Sequence, residues 1–339
     1  SDGGLQLGPL ARLTKTPGAP GPEINKNSEL VKQWLSDPRQ KPKNSGSIKP
    51  PLDGIKVVEI ATIIAAPLGS SFLADMGAEV IKIEPVGGDP FRGLLMGLGS
   101  ARVNGGKRSI GLNLKSDEGK QIVLDLIKSA DVLIHNFRPG VPERLGIGYD
   151  TVSELNPSIV YLQSNGYGPD GPGALRPSTH PIPGAAMGGV VYQMGEKLPS
   201  EVQDMENLRL WTKRLMRANE VNPDPNTAMV VCTSVMLGLM ARKTTGEGQQ
   251  IFMDMFGANA YANHDDFLNY PGKKPRALAD DLMHGLSPTY RLYQCDSNEW
   301  IFLALVTDRE KARFLEILGK AGVDCSQLSP SEMEEETII

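Results

Sequence analysis

Polar, aromatic and cationic side chains follow a short apolar run in DVLIHNFRPGVPERLGIG, residues 131–148. The apolar residues 132–134 are typical of a buried strand, and they stop abruptly before Asn136, Phe137 and Arg138. An arginine can hold a phosphate through charge-assisted hydrogen bonds, and an aromatic ring can form the wall of a base-binding site. The loop therefore has the chemistry of a nucleotide-binding site, although solvated charges and a packed phenylalanine would produce the same pattern.

Other lysine and arginine residues gather in predicted loops and at predicted strand ends. They are Lys82, Lys107, Arg108, Lys115 and Arg144. The formal net charge of the chain is −5, so the sequence offers no broad basic face for nucleic acid. An anionic ligand would have to be held by these local cations.

The familiar motifs of several other site types are missing from the sequence. There is no G-x-G-x-x-G after the first predicted strand, and no P-loop, G-x-S-x-G or HExxH. His264 beside two aspartates is a weak metal signal, and we predict no metal site. The three cysteines are far apart, which favours reduced thiols in a cytoplasmic protein. No apolar run reaches the ~18 residues of a membrane span, so we expect no membrane contact.

The elements that would position these side chains alternate between strands and helices. Apolar runs predict strands at 56–60, 79–84, 109–114, 132–134 and 158–163, with helices at 65–76 and 116–129. This order is typical of βαβ units, so we predict an α/β fold with a mostly parallel sheet. In such sheets ligands lie beyond the carboxyl ends of the strands, where the loop 136–140 belongs.

Residues 1–50 have a different composition, because Pro, Gly, Lys and Asn are dense there. One amphipathic patch at 29–35 indicates a short helix, and 38–51 has the composition of a linker. We therefore predict an extended arm and linker before the globular part begins at Leu52.

Five segments resemble, in order, the successive motifs of the class III CoA-transferase family, which includes formyl-CoA transferase, carnitine CoA-transferase and α-methylacyl-CoA racemase. The segments are GIKVVEIATIIAAPLGSSFLADMGAEVIKIEPVGGDPFR, NGGKRSIGLNLKSDEGK, NFRPGVPERLGIGYD, LQSNGYGPDGP and MARKTTGEGQQIFMDM. Together they extend over roughly residues 50–305.

This resemblance implies coenzyme A or an acyl-CoA as substrate, without a metal. The positions that contact coenzyme A in relatives are Ile63, Ala65, Leu112, Lys115, Asn136, Phe137, Arg138 and Arg144. The chemistry agrees, because coenzyme A carries phosphates that need cations, an adenine that needs an apolar wall and a thioester that needs a shielded slot.

The resemblance also implies the arrangement of domains. A large Rossmann-like domain would span 51–245 with an inserted helix near 202–221, and a connection with an incomplete, smaller α+β domain would span 246–339. Residues 1–50 include a segment similar to the closing part of a family member, as expected of a tandem protein, a permuted chain or a piece of a longer one. Family subunits interlock, so a homodimer or a tandem sister domain is the expected partner.

The catalytic positions depart from the family pattern. Transferases of the family use an aspartate that forms a mixed anhydride with the acyl group, and the corresponding position here is Leu198. The nearest carboxylates are Glu196 and Glu201. Either could serve as the nucleophile if the loop is shifted, with ordinary surface glutamates as the alternative, and Glu196 is the candidate that we name.

Two histidines are further catalytic candidates. The racemase branch uses an aspartate in a run that corresponds to 177–181, where His180 lies nearest. A histidine suits proton transfer near neutral pH, so His180 is a candidate base beside a thioester carbonyl. A Gly-rich loop that closes over the site in relatives corresponds to 283–287, which brings in His284.

The leading hypothesis is an enzyme that moves CoA between carboxylic acids, with an acyl-CoA and an acid as its substrates. One alternative is a catalytically silent CoA-binding repeat or partner subunit, which Leu198 favours. Another is an acyl-CoA racemase or lyase that uses a histidine base.

Overall fold

The computed structural model of the 339-residue chain describes residues 10–17, 49–187, 204–218, 222–280 and 282–326, together with 190, 194, 201, 329 and 333. These residues form two compact units. The first contains the described residues before His180 and those of Pro223–Ala262, and the second contains the described residues of His180–Asn222 and from Asn263 onwards. The domain limits inferred from the family resemblance stay predictions.

Seven strands form the sheet of the first unit. They are β1 (Arg12–Leu13), β2 (Lys56–Ile60), β3 (Glu79–Glu84), β4 (Lys107–Gly111), β5 (Val132–His135), β6 (Val160–Asn165) and β7 (Gln249–Asp254). Their order is β1-β7-β6-β5-β2-β3-β4, and all neighbours are parallel except β1 with β7. The carboxyl ends of the six parallel strands therefore lie at one edge.

The central parallel strands are mostly apolar because the sheet is covered on both faces there, whereas the edge strand β4 is largely exposed. Every residue of β5 and β6 is buried, so these strands carry no exposed polar face. Numbered along the chain, the six parallel strands lie in the order 3-2-1-4-5-6, which is the Rossmann-type arrangement. The predicted α/β fold with a mostly parallel sheet is confirmed.

Helices follow most of the strands. In the described chain they are α1 (Ala65–Asp75), α2 (Leu98–Val103), α3 (Asp117–Lys128), α4 (Val141–Arg144), α5 (Tyr149–Leu155), α6 (Pro181–Ala186), α7 (Met205–Arg217), α8 (Pro223–Thr245), α9 (Met255–Ala262), α10 (His264–Phe267) and α11 (Asp308–Lys320). Short 3-10 turns lie at Pro90–Gly93 and Leu95–Gly97.

Two buried clusters lie on the sheet. One contains Leu73 of α1 and Val231 of α8, and the other contains Val123 and Ile127 of α3. The amphipathic helix α3 begins after Ser116, whose Oγ accepts the Gly119 N–H at 3.1 Å. These clusters pack the helices against the sheet and so support the loops at its rim.

The second unit contains a separate antiparallel sheet of β8 (Gly285–Ser287), β9 (Tyr290–Gln294) and β10 (Trp300–Ala304) in the order β10-β9-β8. Helix α11 follows it and begins with a capping box between Thr307 and Glu310. The predicted second, smaller α+β part is confirmed, whereas the interlocked dimer stays a prediction.

Two local predictions differ from the structure or fall outside it, one short strand was not predicted, and one predicted helix is present. The strand predicted at 109–114 is β4, which begins earlier because the ammonium of Lys107 is buried in an ion pair that an apolar pattern does not anticipate. The edge strand β1 has two residues, too few for a periodic pattern. The short helix predicted at 29–35 lies outside the described residues, and α7 lies where the inserted helix was predicted.

Helices α1 and α8 approach each other closely at Gly69. A Cβ atom at this position would lie 2.6 Å from Cγ1 of Val231 and 2.8 Å from the carbonyl oxygen of Ala228. A backbone oxygen in a packed helix cannot move aside cheaply, because the interior has few voids to absorb the shift.

Replacing Gly69 with alanine is expected to lower the free energy of unfolding by about 1–3 kcal/mol through overpacking. Urea denaturation followed by circular dichroism measures this change. Gly319→Ala is the matched control, because an added Cβ in α11 meets nothing within 4 Å and should stabilise by up to about 1 kcal/mol. Equal losses in the two variants would contradict a close approach at Gly69.

Candidate functional site

The rim of the large sheet has a crevice where the strand order reverses. The first parallel strand, β2, lies between β3 and β5, so the chain leaves it in one direction and later returns on the other side. The loops 61–64 after β2 and 136–140 after β5 flank this point. A crevice of this kind is the usual ligand site of an open parallel sheet.

The amide of Asn136 ties these two loops together. Its Oδ1 accepts the Thr62 N–H at 3.2 Å, and its Nδ2 donates to the Thr62 carbonyl oxygen at 2.9 Å. Asn136 therefore orders the crevice through the backbone of Thr62. Its predicted contact with coenzyme A stays a prediction.

Ile63 and Ala65 lie on the β2 side of the crevice. Ile63 is half-buried and has a φ of 71°, a conformation that β-branched residues rarely adopt. Its amide nitrogen lies 3.2 Å from both carboxylate oxygens of Asp89. Ala65 is buried and begins α1.

Behind this loop lies a buried network of ion pairs. Lys82 Nζ lies 2.7 Å from Glu59 Oε1 and 3.0 Å from Asp89 Oδ2, and Lys107 Nζ lies 2.6 Å from Glu59 Oε2. Glu59 also accepts a hydrogen bond from Ser70 Oγ. Burial lowers the pKa of the Lys107 ammonium to about 8, although Glu59 beside it acts in the opposite direction. Lys82 and Lys107 are therefore interior partners of carboxylates, and the suggestion that they bind phosphates is wrong.

The cations of the rim loops have a different environment. Lys115, Arg138 and Arg144 are exposed, and none of them forms an ion pair with a carboxylate among the residues that the structure describes. Arg138 Nη1 donates only a long hydrogen bond, 3.4 Å, to the Leu175 carbonyl. By contrast, the exposed Arg108 pairs with Glu79 at 3.0 Å.

Gly140 directs the chain from Arg138 towards Arg144. Its φ of 78° is left-handed, and it is the N-cap of the short helix α4, which ends at Arg144. The turn keeps both arginines on the segment that follows β5, close to each other in sequence and on one side of the crevice.

Leu112 and Phe137 supply an apolar surface beside these cations. Both are half-buried and pack against the buried cluster that includes Leu133 and Ile147. The Phe137 ring is stacked on His135, with the centroids 5.6 Å apart and the planes inclined by 27°. The structure therefore brings the predicted apolar contacts onto one cluster.

His135 is a fully buried histidine at the end of β5. Its Nδ1 accepts the Phe137 N–H at 3.3 Å, which places the ring proton on Nε2, and this nitrogen has no hydrogen-bond partner among the described atoms. The Tyr161 ring meets the His135 ring edge-on, and the two ring centroids are 5.1 Å apart. Burial lowers the pKa of His135 to about 3, so the ring is neutral at physiological pH.

The predicted catalytic residues lie in the second unit or outside the described residues. His180 is the half-buried N-cap of α6, and the His284 N–H donates to Asp280 Oδ1 at 3.0 Å while its ring meets Trp300 edge-on. Both belong to the second unit. Glu196 lies outside the described residues, so its role stays a prediction.

Glu59, Asp89 and Thr62 were not predicted to shape the site. A signal for the first was present, because Glu59 and Lys82 interrupt two apolar runs with opposite charges and are register partners in β2 and β3. Asp89 and Thr62 act through backbone groups of a loop, which no residue pattern identifies.

A separate cavity of about 290 Å³ lies beside the ends of β6 and β7 and is lined by Arg12, Tyr167, Asp170, Asp254 and Tyr261, among others. Arg12 pairs with Asp170 at 3.0 Å, and burial raises the pKa of the Asp254 carboxyl. Arg12 is the one cation among the described lining residues and is already paired, so this lining does not suit a phosphate.

Within the described residues, no group of three or more His, Cys, Asp or Glu side chains is arranged to hold a metal ion. No helix in this part of the chain is both long enough and apolar enough to span a membrane. The cytoplasmic location stays a prediction.

Comparisons with known proteins point to one family. A family model described as CoA-transferase family III matches residues 52–335. The chain is 38% identical over 220 residues to an acyl-CoA transferase of Fusarium pseudograminearum, with 60% of this chain and 45% of that protein covered. It is 31% identical over 281 residues to the succinyl-CoA–L-malate CoA-transferase beta subunit of Chloroflexus aurantiacus, with 80% and 65% covered. An acetyl-CoA:oxalate CoA-transferase of Acetobacter aceti is 33% identical over 273 residues, with 76% and 66% covered. The chain thus spans 45% to 66% of the length of these relatives.

Solved structures agree on the fold. A crystal structure of Rv3272 from M. tuberculosis has a TM-score of 0.64 at 23% identity, covering 84% of this chain and 70% of that one. A CAIB/BAIF family protein from Brucella suis has a TM-score of 0.63 at 25% identity, covering 84% and 75%.

Because His135 is buried and neutral, we expect the free energy of unfolding to depend on pH. An unfolded histidine takes up a proton below about pH 6.5, whereas His135 in the folded protein does so only near pH 3. The contribution of His135 to the free energy of unfolding is therefore fully present above pH 6.5, and it is lost as the pH falls towards 3. Between pH 6 and 5 the free energy of unfolding should fall by up to about 1.4 kcal/mol per pH unit from this group.

His135→Gln should flatten this dependence between pH 7 and 5, measured by urea denaturation at each pH. His264→Gln is the matched control, because His264 is exposed beside Asp265. An unchanged slope in His135→Gln would contradict a buried, neutral ring.

Proposed function

Because the chain belongs to CoA-transferase family III, we propose that it binds an acyl-CoA at the carboxyl rim of the large sheet and moves CoA between carboxylic acids. The observation that carries the proposal is the environment of Lys115, Arg138 and Arg144. They are exposed at the rim and, within the described chain, have no carboxylate partner.

In the proposed complex, the phosphates of coenzyme A lie against Lys115, Arg138 and Arg144. Phosphate oxygens accept charge-assisted hydrogen bonds from guanidinium and ammonium groups, and these bonds are stronger than neutral ones. Such bonds also explain how a chain with a net charge of −5 binds a polyanion.

The adenine would contact Leu112 and Phe137, which pack on one cluster. The thioester end would approach the crevice beside Ile63, Ala65 and Asn136. The adenine site would then be apolar and the phosphate site cationic, as the chemistry of coenzyme A requires.

The proposed transfer requires a carboxylate that attacks the thioester carbonyl. Its oxygen forms a bond to the acyl carbon, and the carbon–sulfur bond breaks, which gives a mixed anhydride and the CoA thiolate. We propose Glu196 for this role because Leu198, at the family's aspartate position, has no nucleophilic group. His180 and His284 are the proposed candidates for a histidine base in the alternative racemase or lyase reaction. A second copy of the chain or a sister domain is the proposed partner; two of the relatives are named as alpha and beta subunits of one transferase.

A second candidate function is a CoA-binding repeat without its own chemistry. Leu198 favours it, since the loss of the aspartate would leave the binding rim without a nucleophile. Both functions require the rim cations, and they differ only in whether an acyl-enzyme forms.

Replacing Arg138 with alanine is expected to raise the Kd for coenzyme A by roughly 10-fold to 100-fold, because a hydrogen bond to a charged group contributes about 1.5–3 kcal/mol. Arg144→Ala should act in the same direction. Isothermal titration calorimetry with free coenzyme A measures both.

Arg108→Ala is the matched control, since this exposed arginine pairs with Glu79. It should leave the Kd for coenzyme A unchanged. Wild-type protein that gives no heat with coenzyme A, or equal affinity in Arg138→Ala, would contradict the proposed binding site.

A trapping experiment distinguishes the two candidate functions, because they predict different products. If the chain is a transferase, acetyl-CoA with hydroxylamine should convert one glutamate to its hydroxamate, which peptide mass spectrometry locates. Glu196→Gln should abolish the modification, and Glu201→Gln is the control that should retain it. Intact CoA binding without any hydroxamate would support the silent repeat.

A further inference from the structure

The loop 61–64 has a strained backbone beside the crevice. Ile63 has a φ of 71°, which is unfavourable for a β-branched residue because its Cβ crowds the backbone carbonyl. Such a conformation persists only where the surroundings hold it, and it concentrates at ligand sites. The groups that hold Ile63 are therefore candidates for a role in binding.

Asp89 is the group that holds Ile63. Both of its carboxylate oxygens lie 3.2 Å from the Ile63 nitrogen, and Oδ1 also accepts the Phe91 N–H at 2.9 Å. The Asp89 side chain is fully buried, so bulk water cannot take its place as acceptor. Without this acceptor, the N–H of Ile63 would lose the hydrogen bonds that fix its direction.

Lys82 and Glu59 fix the position of Asp89. Lys82 Nζ contacts Asp89 Oδ2 at 3.0 Å and Glu59 Oε1 at 2.7 Å, and it donates to the Ala61 carbonyl at 2.7 Å. One ammonium group thus binds both the carboxylate that holds Ile63 and the carbonyl at the start of the loop. A buried polar network in which the members satisfy one another specifies a single geometry.

We propose that Asp89, held by Lys82 and Glu59, is a positioning residue that keeps the loop 61–64 in the conformation that receives the acyl-CoA. This inference rests on the proposed function, because it takes Ile63 and Ala65 as contacts of the substrate. If Ile63 relaxed to a negative φ, the backbone between β2 and α1 would turn, and the edge of the crevice would move with it.

The apparent affinity for the ligand depends on the fraction of molecules in which the loop 61–64 has the binding-competent conformation. If only a fraction of molecules has the loop in the competent conformation, the apparent Kd rises in inverse proportion to that fraction. Asp89→Asn keeps the shape of the side chain but removes the charge that attracts both Lys82 and the Ile63 N–H. It should raise the Kd for coenzyme A by about tenfold.

A double-mutant cycle separates positioning from a general loss of stability. Glycine adopts a positive φ without strain, so Ile63→Gly should make the loop independent of Asp89. Ile63→Gly alone weakens binding by its lost side chain. In its background Asp89→Asn should change the Kd by less than about twofold, instead of tenfold. Isothermal titration calorimetry with coenzyme A gives all four values.

Hydrogen exchange of the peptide that covers the loop provides a readout without ligand. Asp89→Asn should accelerate exchange at residues 62–64, while the peptide covering β6 stays protected. Asn156→Ala is the matched control, because the buried Asn156 amide donates to the carbonyls of Ile127 and Ala130, away from the loop. It should lower stability without changing the Kd or the exchange of the loop.

Three outcomes are decisive. Equal Kd values in wild type and Asp89→Asn, or an equal tenfold effect in the Ile63→Gly background, overturn the positioning role. If wild type binds no coenzyme A, the proposed function fails, and unchanged loop exchange in Asp89→Asn is then the result that overturns the conformational part. If Asp89→Asn does not fold, Asp89→Glu replaces it in the same cycle, since it keeps the charge and displaces the oxygens.

Discussion

The structure of the first unit depends on a pair of buried carboxylates that face a pair of buried ammonium groups. Glu59, Lys82, Lys107 and Asp89 are all withdrawn from water, and the desolvation of an ion costs several kcal/mol unless close partners offset it. Here Lys82 contacts two carboxylates and a carbonyl, and Lys107 contacts Glu59 and the Pro67 carbonyl. Loss of any one member would leave an uncompensated charge in the interior. The network therefore tolerates only one arrangement of β2, β3, β4 and the loop 61–64.

The network also divides the cations of the chain into two groups with different uses. An interior ammonium group already neutralised by a carboxylate cannot attract a phosphate, whereas an exposed guanidinium without such a partner can. Lys82 and Lys107 belong to the first group, and Arg138 and Arg144 to the second. Under the proposed function, geometry and ligand attraction reside in separate residues, although both are lysines and arginines near strand ends in the sequence.

The sequence predicted the central strands well because they are buried on both faces, so that apolar runs such as 132–134 need no periodicity to be identified. It failed where a charge was buried, as at Lys107 in β4, and where an element was too short to carry a pattern, as in β1. The family resemblance supplied the rim positions, among them Phe137 and Arg138. It did not supply the function of Asn136 as a link to Thr62, because that depends on hydrogen-bond geometry between two loops.

On both sides of the crevice, a buried side chain accepts a hydrogen bond from the backbone. On the β5 side the neutral His135 accepts the Phe137 N–H, and on the β2 side Asp89 accepts the N–H of Ile63. In each case a buried side chain fixes the backbone beside the crevice, so a ligand bound there in the proposed complex would lose little free energy to ordering of this backbone. Because these restraints act on the backbone, substitutions of the rim side chains can change what is bound without loosening the crevice. Under the proposed function, the binding of a nucleotide-tailed thioester could therefore change without altering the chemistry at its acyl end.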